Sequence, residues 1–83
     1  MTESPASPDL RLLTWNLQGS HGVDVAAVAA IIEGRSPDIV ALQEVTRAQA
    51  RRLATALGMN GRWWVFKHWP VRGRPEGLAV LSP

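Results

Sequence analysis

Asn16 and Glu44 are the residues whose types and places could do chemistry together. Asn16 follows a short apolar segment, residues 10–15, and Glu44 lies near the end of a second, residues 38–45. If the two segments are parallel neighbours in one sheet, both side chains share one edge of it. Ligands of open α/β sheets bind at that edge. A carboxylate there suits a hard cation, because Mg²⁺ takes oxygen ligands, usually one or two carboxylates together with water and substrate phosphate. Glu44 offers a carboxylate oxygen. Asn16 offers either a carbonyl oxygen or a hydrogen bond that orients its neighbour. A cation so held would stabilise charge on a transferring phosphoryl group and on the leaving oxygen. Both residues also have ordinary roles open to them. Asn is common in turns after strands, and Glu44 lies two residues ahead of a helix N-cap, where negative charge is favourable.

The elements that must position this pair follow from the apolar pattern. LRLLTW, residues 10–15, predicts a strand bounded by polar residues. NLQGSHG, residues 16–22, predicts a loop. The spacing predicts a helix over 24–33, capped by Asp24, with Val25, Val28, Ala29 and Ile32 on one apolar stripe. Gly34 supplies its expected stop, and Pro37 bars continuation. DIVALQEV, residues 38–45, predicts a second strand. Its run from Ile39 to Leu42 is continuous rather than alternating, which suits a strand covered on both faces. A second helix follows, started by the capping-box pair Thr46 and Gln49, with Ala50, Leu53, Ala54 and Leu57 as its stripe and Gly58 as its end. WWVFKHW, residues 63–69, predicts a third strand, residues 70–75 a turn, and GLAVL, residues 77–81, a fourth strand. The order is β-α-β-α-β-β, and the first β-α-β is a right-handed crossover between parallel strands. The class is α/β or α+β, with helices covering a sheet.

Composition narrows the setting. The chain has 83 residues and no cysteine, which excludes a disulfide framework and a thiolate metal site. A net charge of +2 is weak support for a polyanionic partner, and Arg62, Lys67, Arg72 and Arg74 read as a solvated surface. MTESPASP, residues 1–8, is polar and predicts a disordered leader ahead of a domain over 9–83. No apolar stretch approaches the ~20 residues of a membrane span. The expected location is cytoplasmic.

Two of these segments carry a family resemblance. LLTWNLQG (residues 12–19) resembles the first motif of the endonuclease/exonuclease/phosphatase family, and DIVALQEV resembles the second, a strand ending Leu-Gln-Glu. GLAVLS (residues 77–82) is similar to a third, less specific strand. The resemblance covers about residues 10–83. It implies part of a four-layer α/β sandwich of the DNase I-like type, acting on phosphoester substrates, nucleic acid among them, with Mg²⁺ or Mn²⁺. By the same resemblance Glu44 matches the metal-binding glutamate, and Asn16 the active-site asparagine near metal and phosphate. Gln18 stands where some members carry an Asp, which argues against a second-metal role and leaves a substrate contact. The family's later Gly-Asp-Phe-Asn-like and Ser-Asp-His-like motifs do not occur in these 83 residues, and neither His21 nor His68 matches the latter. The expectation is an incomplete portion of the domain, inactive by itself, with the aromatic residues Trp15, Trp63, Trp64, Phe66 and Trp69 partly exposed.

Two other readings stand beside it. Gly19-Ser20-His21-Gly22 precedes a helix as phosphate loops do, yet it lacks both G-x-G-x-x-G and G-K-[ST]. The aromatic residues 63–69, beside Arg62 and Lys67, could form a stacking platform for nucleic acid without hydrolysis. Alternation into a core is the preferred explanation of them.

Overall fold

The computed structural model describes residues 1–7, 9–65 and 76–83. Five strands form one mixed sheet: β1 (Thr2–Ser7), β2 (Leu10–Asn16), β3 (Ile39–Thr46), β4 (Asn60–Val65) and β5 (Glu76–Ser82), in the spatial order β1-β2-β3-β5-β4. Strands β2 and β3 are parallel, joined through helix α1 (Val25–Arg35), and the other neighbours are antiparallel. Helix α2 (Arg47–Leu57) follows β3 directly. The predicted β-α-β-α-β-β order holds from β2 onward. Of the predicted third strand, the part beyond Val65 and the turn 70–75 lie outside the described residues.

Residues 2–7 correct the expectation of a disordered leader. They pair antiparallel with β2, from Thr2 opposite Thr14 to Ser7 opposite Leu10. Composition could not reveal this, because the segment buries little: Thr2 to Pro5 are exposed. The open edge of β2 presents backbone N–H and C=O groups, and the leader takes them up. Pro5 is tolerated because β1 is an edge strand. Glu3 adds an exposed ion pair with Arg35 at 3.1 Å, a contact worth little by itself.

Both helices lie on one face of the sheet. Their stripes (Ala29 and Ile32 of α1; Ala50, Leu53 and Ala54 of α2) meet Leu13, Val40, Leu42, Val45, Ala79 and Leu81 in one core. Asp24 accepts from the Ala27 N–H at 3.0 Å and caps α1. The helix runs through Gly34, the expected stop, and ends at Arg35. Ser36 takes a left-handed conformation at φ 50°. The stop is therefore set by Pro37, whose ring disfavours helical geometry at the residue before it. In α2 both halves of the capping box are formed: the Thr46 N–H donates to Gln49 Oε1 at 3.0 Å, and the Gln49 N–H to Thr46 Oγ1 at 3.2 Å.

Among the described residues, the other face of the sheet carries no helix. Strand registers place Leu12, Ile39, Ala41, Leu78 and Val80 there. Leu78 and Val80 are 38% and 39% exposed. The expected partial exposure of aromatic residues holds for Trp15 and Trp63. Trp15 and Trp63 are half-buried and pack against the helix-covered core. The side chain of Trp64, and Phe66 and Trp69, lie outside the described residues.

Candidate functional site

Parallel pairing of β2 with β3 sets Asn16 opposite Gln43, and the Leu17 N–H extends the ladder by one bond to the Gln43 carbonyl, 2.9 Å away. The Asn16 side chain thus stands at the C-terminal edge of the sheet beside the end of β3, as the spacing requires. It donates through Nδ2 to Glu44 Oε2. Its Oδ1 accepts from the Gln18 N–H at 3.2 Å. These two partners fix which way the amide faces, since a backbone N–H can only donate and a carboxylate accepts. Of the two roles open to Asn16, the geometry shows the orienting one: it holds the carboxylate, while its own oxygen is turned to the loop.

Glu44 is placed by a break in the strand. Leu42 pairs with Ala79 and Val45 with Gly77, so Gln43 and Glu44 together oppose the single residue Leu78. One extra residue against one partner is a β-bulge. Side chains alternate along a strand, so Glu44 would otherwise continue the face of Val40 and Leu42 and enter the core under the helices. The bulge moves Val45 into that place, where it is fully buried, and leaves Glu44 exposed at the edge. Glu44 does this at φ 52°, in the left-handed region where a Cβ crowds the following carbonyl. Gln18 is left-handed too, at φ 49°. Two of the three non-glycine residues with positive φ among the described residues therefore flank this site. The third, Ser36, caps the C-terminus of α1, where a left-handed residue is common.

The loop behind Asn16 is pinned at several atoms. Gln18 opens a 3-10 turn over Gly19–His21, in which the His21 N–H donates to the Gln18 carbonyl at 2.9 Å and the Gly22 N–H to the Gly19 carbonyl at 3.0 Å. The Gln49 amide donates to the same Gly19 carbonyl at 2.9 Å. Gly19 is buried between β3 and α2: a Cβ on it would collide with Gln49 Oε1 and come within 3.0 Å of the Glu44 carbonyl. On the sheet's other flank the Trp63 indole donates to the Val45 carbonyl at 2.8 Å and secures the chain just after the bulge.

The structure thus brings Asn16 and Glu44 together, sets Gln18 beside them with its side chain exposed, and leaves His21 exposed in the turn. Among the described residues no three His, Asp or Glu side chains converge, so His21 is not brought to Glu44 as part of such a cluster. His68 lies outside the described residues. Sequence reasoning did not find the roles of Gln49, Gly19 and Trp63. Gln49 was legible as a capping residue, and nothing local signals its second bond, 30 residues away along the chain. The bulge did leave a signal: in VALQEV the apolar phase set by Val40 and Leu42 slips by one at Glu44 and resumes at Val45.

A divalent cation fits this donor set in part. One exposed carboxylate already held by an amide meets the lower limit for Mg²⁺, which keeps several waters and takes as few as one protein carboxylate. Glu44 would be the ligand, and Asn16 would orient it.

A family model described as the endonuclease/exonuclease/phosphatase family matches residues 13–83. The chain is similar to the crystal structure of an endonuclease/exonuclease/phosphatase from Beutenbergia cavernae DSM 12333, with 27% identity and a TM-score of 0.66, over 88% of this chain and 25% of that one. It is similar in fold to truncated Caenorhabditis elegans TDP2, with 23% identity and a TM-score of 0.64, over 88% of this chain and 29% of that one. It is also similar in fold to an endonuclease/exonuclease/phosphatase from Bacteroides vulgatus, with 23% identity and a TM-score of 0.60, over 95% of this chain and 31% of that one. The chain thus spans a quarter to a third of the length of these structures. No curated protein matches it significantly. Among the described residues no helix is long and apolar enough to cross a membrane.

Proposed function

The chain belongs to the endonuclease/exonuclease/phosphatase family, and from that membership we propose that it supplies part of the site of a metal-dependent phosphoester hydrolase. The observation that carries the reading is the Asn16–Glu44 hydrogen bond at the edge of two parallel strands, with Glu44 turned outward by a left-handed bulge residue. Strain of this kind persists where the surrounding structure imposes it, and it concentrates at functional sites. In this reading Glu44 is the metal-binding carboxylate. Asn16 holds it in place and lies near the scissile phosphate, and Gln18 contacts substrate from the exposed start of the turn. Bound Mg²⁺ or Mn²⁺ would supply stabilisation of the developing phosphoryl charge.

The substrate is a phosphoester, with nucleic acid among the candidates. The alternative, a stacking platform for nucleic acid without hydrolysis, is disfavoured at Trp63. That indole packs on the core and spends its N–H on the Val45 carbonyl.

The described residues carry one carboxylate and one amide at the site and leave one apolar sheet face without a covering layer. We propose that the chain does not turn over phosphoesters unaided. The test has two arms. Isotope-labelled chain titrated with Mn²⁺ should show paramagnetic broadening centred on residues 16–19 and 43–45, lost in Glu44→Gln. The same chain should leave a plasmid and a chromogenic bis-phosphodiester intact. Broadening elsewhere, or unchanged in Glu44→Gln, would sink the metal assignment. Metal-dependent turnover abolished by Glu44→Ala would show that the chain holds more of the site than this.

A further inference from the structure

We propose that Gln49 is a positioning residue for the Asn16–Glu44 pair: its amide clamps the loop after β2 to the N-terminus of α2. This rests on the reading of that pair as the reactive site, and it goes beyond it by naming what holds the pair in register.

Gln49 uses both ends of its amide. Oε1 accepts the Thr46 N–H at 3.0 Å and completes the cap of α2. Nε2 donates to the Gly19 carbonyl at 2.9 Å. The first bond is a helix-capping device that stabilises α2 wherever it occurs. The second is long-range and does nothing for the helix.

What the second bond controls follows from the chain path. Asn16 is joined to Gly19 by two residues, and the Gln18 N–H between them is the donor that turns Asn16 Oδ1 inward and Nδ2 toward Glu44. Glu44 is joined to Gln49 by four residues, through the bulge and Thr46. The Gly19–Gln49 bond therefore closes a ring in which both members of the pair are held: one through the loop, the other through the start of α2. Gly19 is packed so closely that a Cβ on it would meet both the Glu44 carbonyl and the Gln49 side chain. Release of Gly19 would free the 3-10 turn, then Gln18, then the orientation of Asn16.

The two bonds can be separated. Gln49→Glu keeps an oxygen that accepts from the Thr46 N–H, as capping boxes with Glu do, but it has no proton for the Gly19 carbonyl. Gln49→Ala loses both. The readouts on the 83-residue chain are the thermal midpoint and the hydrogen exchange of the His21 and Gly22 backbone amides and the Asn16 side-chain amide. Gln49→Glu keeps the cap and loses only the long-range bond, so its midpoint should fall less than that of Gln49→Ala, while those three groups exchange about tenfold faster, the weight of one hydrogen bond. Gln49→Ala should show both the faster exchange and a lower midpoint. A Gln49→Glu chain with wild-type exchange at all three groups would overturn the proposal and leave Gln49 a capping residue only. Wild-type amides at His21 and Gly22 exchanging as in an unfolded chain would overturn it as well. The Mn²⁺ titration reads the metal assignment separately, so its failure would leave the exchange result standing.

Discussion

Replacement of Glu44 by glycine should stabilise the fold relative to replacement by alanine, against the usual order for a strand. Both substitutions remove the carboxylate and its bond to Asn16, so their difference isolates the backbone. Glu44 sits at φ 52°. There an L-residue carries about 1–2 kcal/mol from its Cβ against the following carbonyl. Glycine escapes that strain but loses roughly 0.5–1 kcal/mol more backbone freedom on folding than alanine does. The balance favours glycine by about 0.7 kcal/mol, or about 3–6 °C in thermal midpoint for a domain of this size. Ala41→Gly, in the same strand with no positive φ, is the control and should lower the midpoint by the full entropic cost. The assay is far-UV circular dichroism through the melt, with all three variants beside the wild type. If Glu44→Gly melts below Glu44→Ala, the residue is not held in the left-handed region. The bulge argument for why Glu44 faces outward would then fall with it.

Two further outcomes follow from other parts of the structure. Trp63→Phe should lower stability by about 1–3 kcal/mol, because it leaves the carbonyl of buried Val45 without its donor; a midpoint equal to that of Arg62→Ala would show the indole bond to be dispensable. The double variant Leu78→Thr, Val80→Thr should reduce binding of a hydrophobic dye without lowering the midpoint, since both side chains lie on the sheet face that no helix of the described residues covers; unchanged dye binding would place the accessible apolar surface elsewhere.

The parts of the fold that depend on local chemistry were legible in the sequence. Asp24, Thr46 with Gln49, and Gly58 are capping residues whose side chains or conformational freedom act within a few positions, and all four stand where the pattern put them. The parallel pairing that joins Asn16 to Glu44 was legible for a different reason: a helix between two apolar strands leaves little choice of handedness or direction. What the pattern missed involves partners distant in sequence or bonds made by backbone alone. Thr2 to Pro5 of strand β1 are exposed, so its pairing left no trace in composition. Gly34 resembled a stop but tolerates the helix, while Pro37 decides the end. Glu44 joins the two kinds of information. Read at period two, DIVALQEV assigns Glu44 to the core face, a placement that a carboxylate without a partner could not survive. The chain resolves the conflict by inserting one residue out of phase, at the strand's last turn, beside an asparagine that can hold the displaced charge. A slip in apolar phase that expels an acidic residue at a strand end thus marks both the bulge and the site.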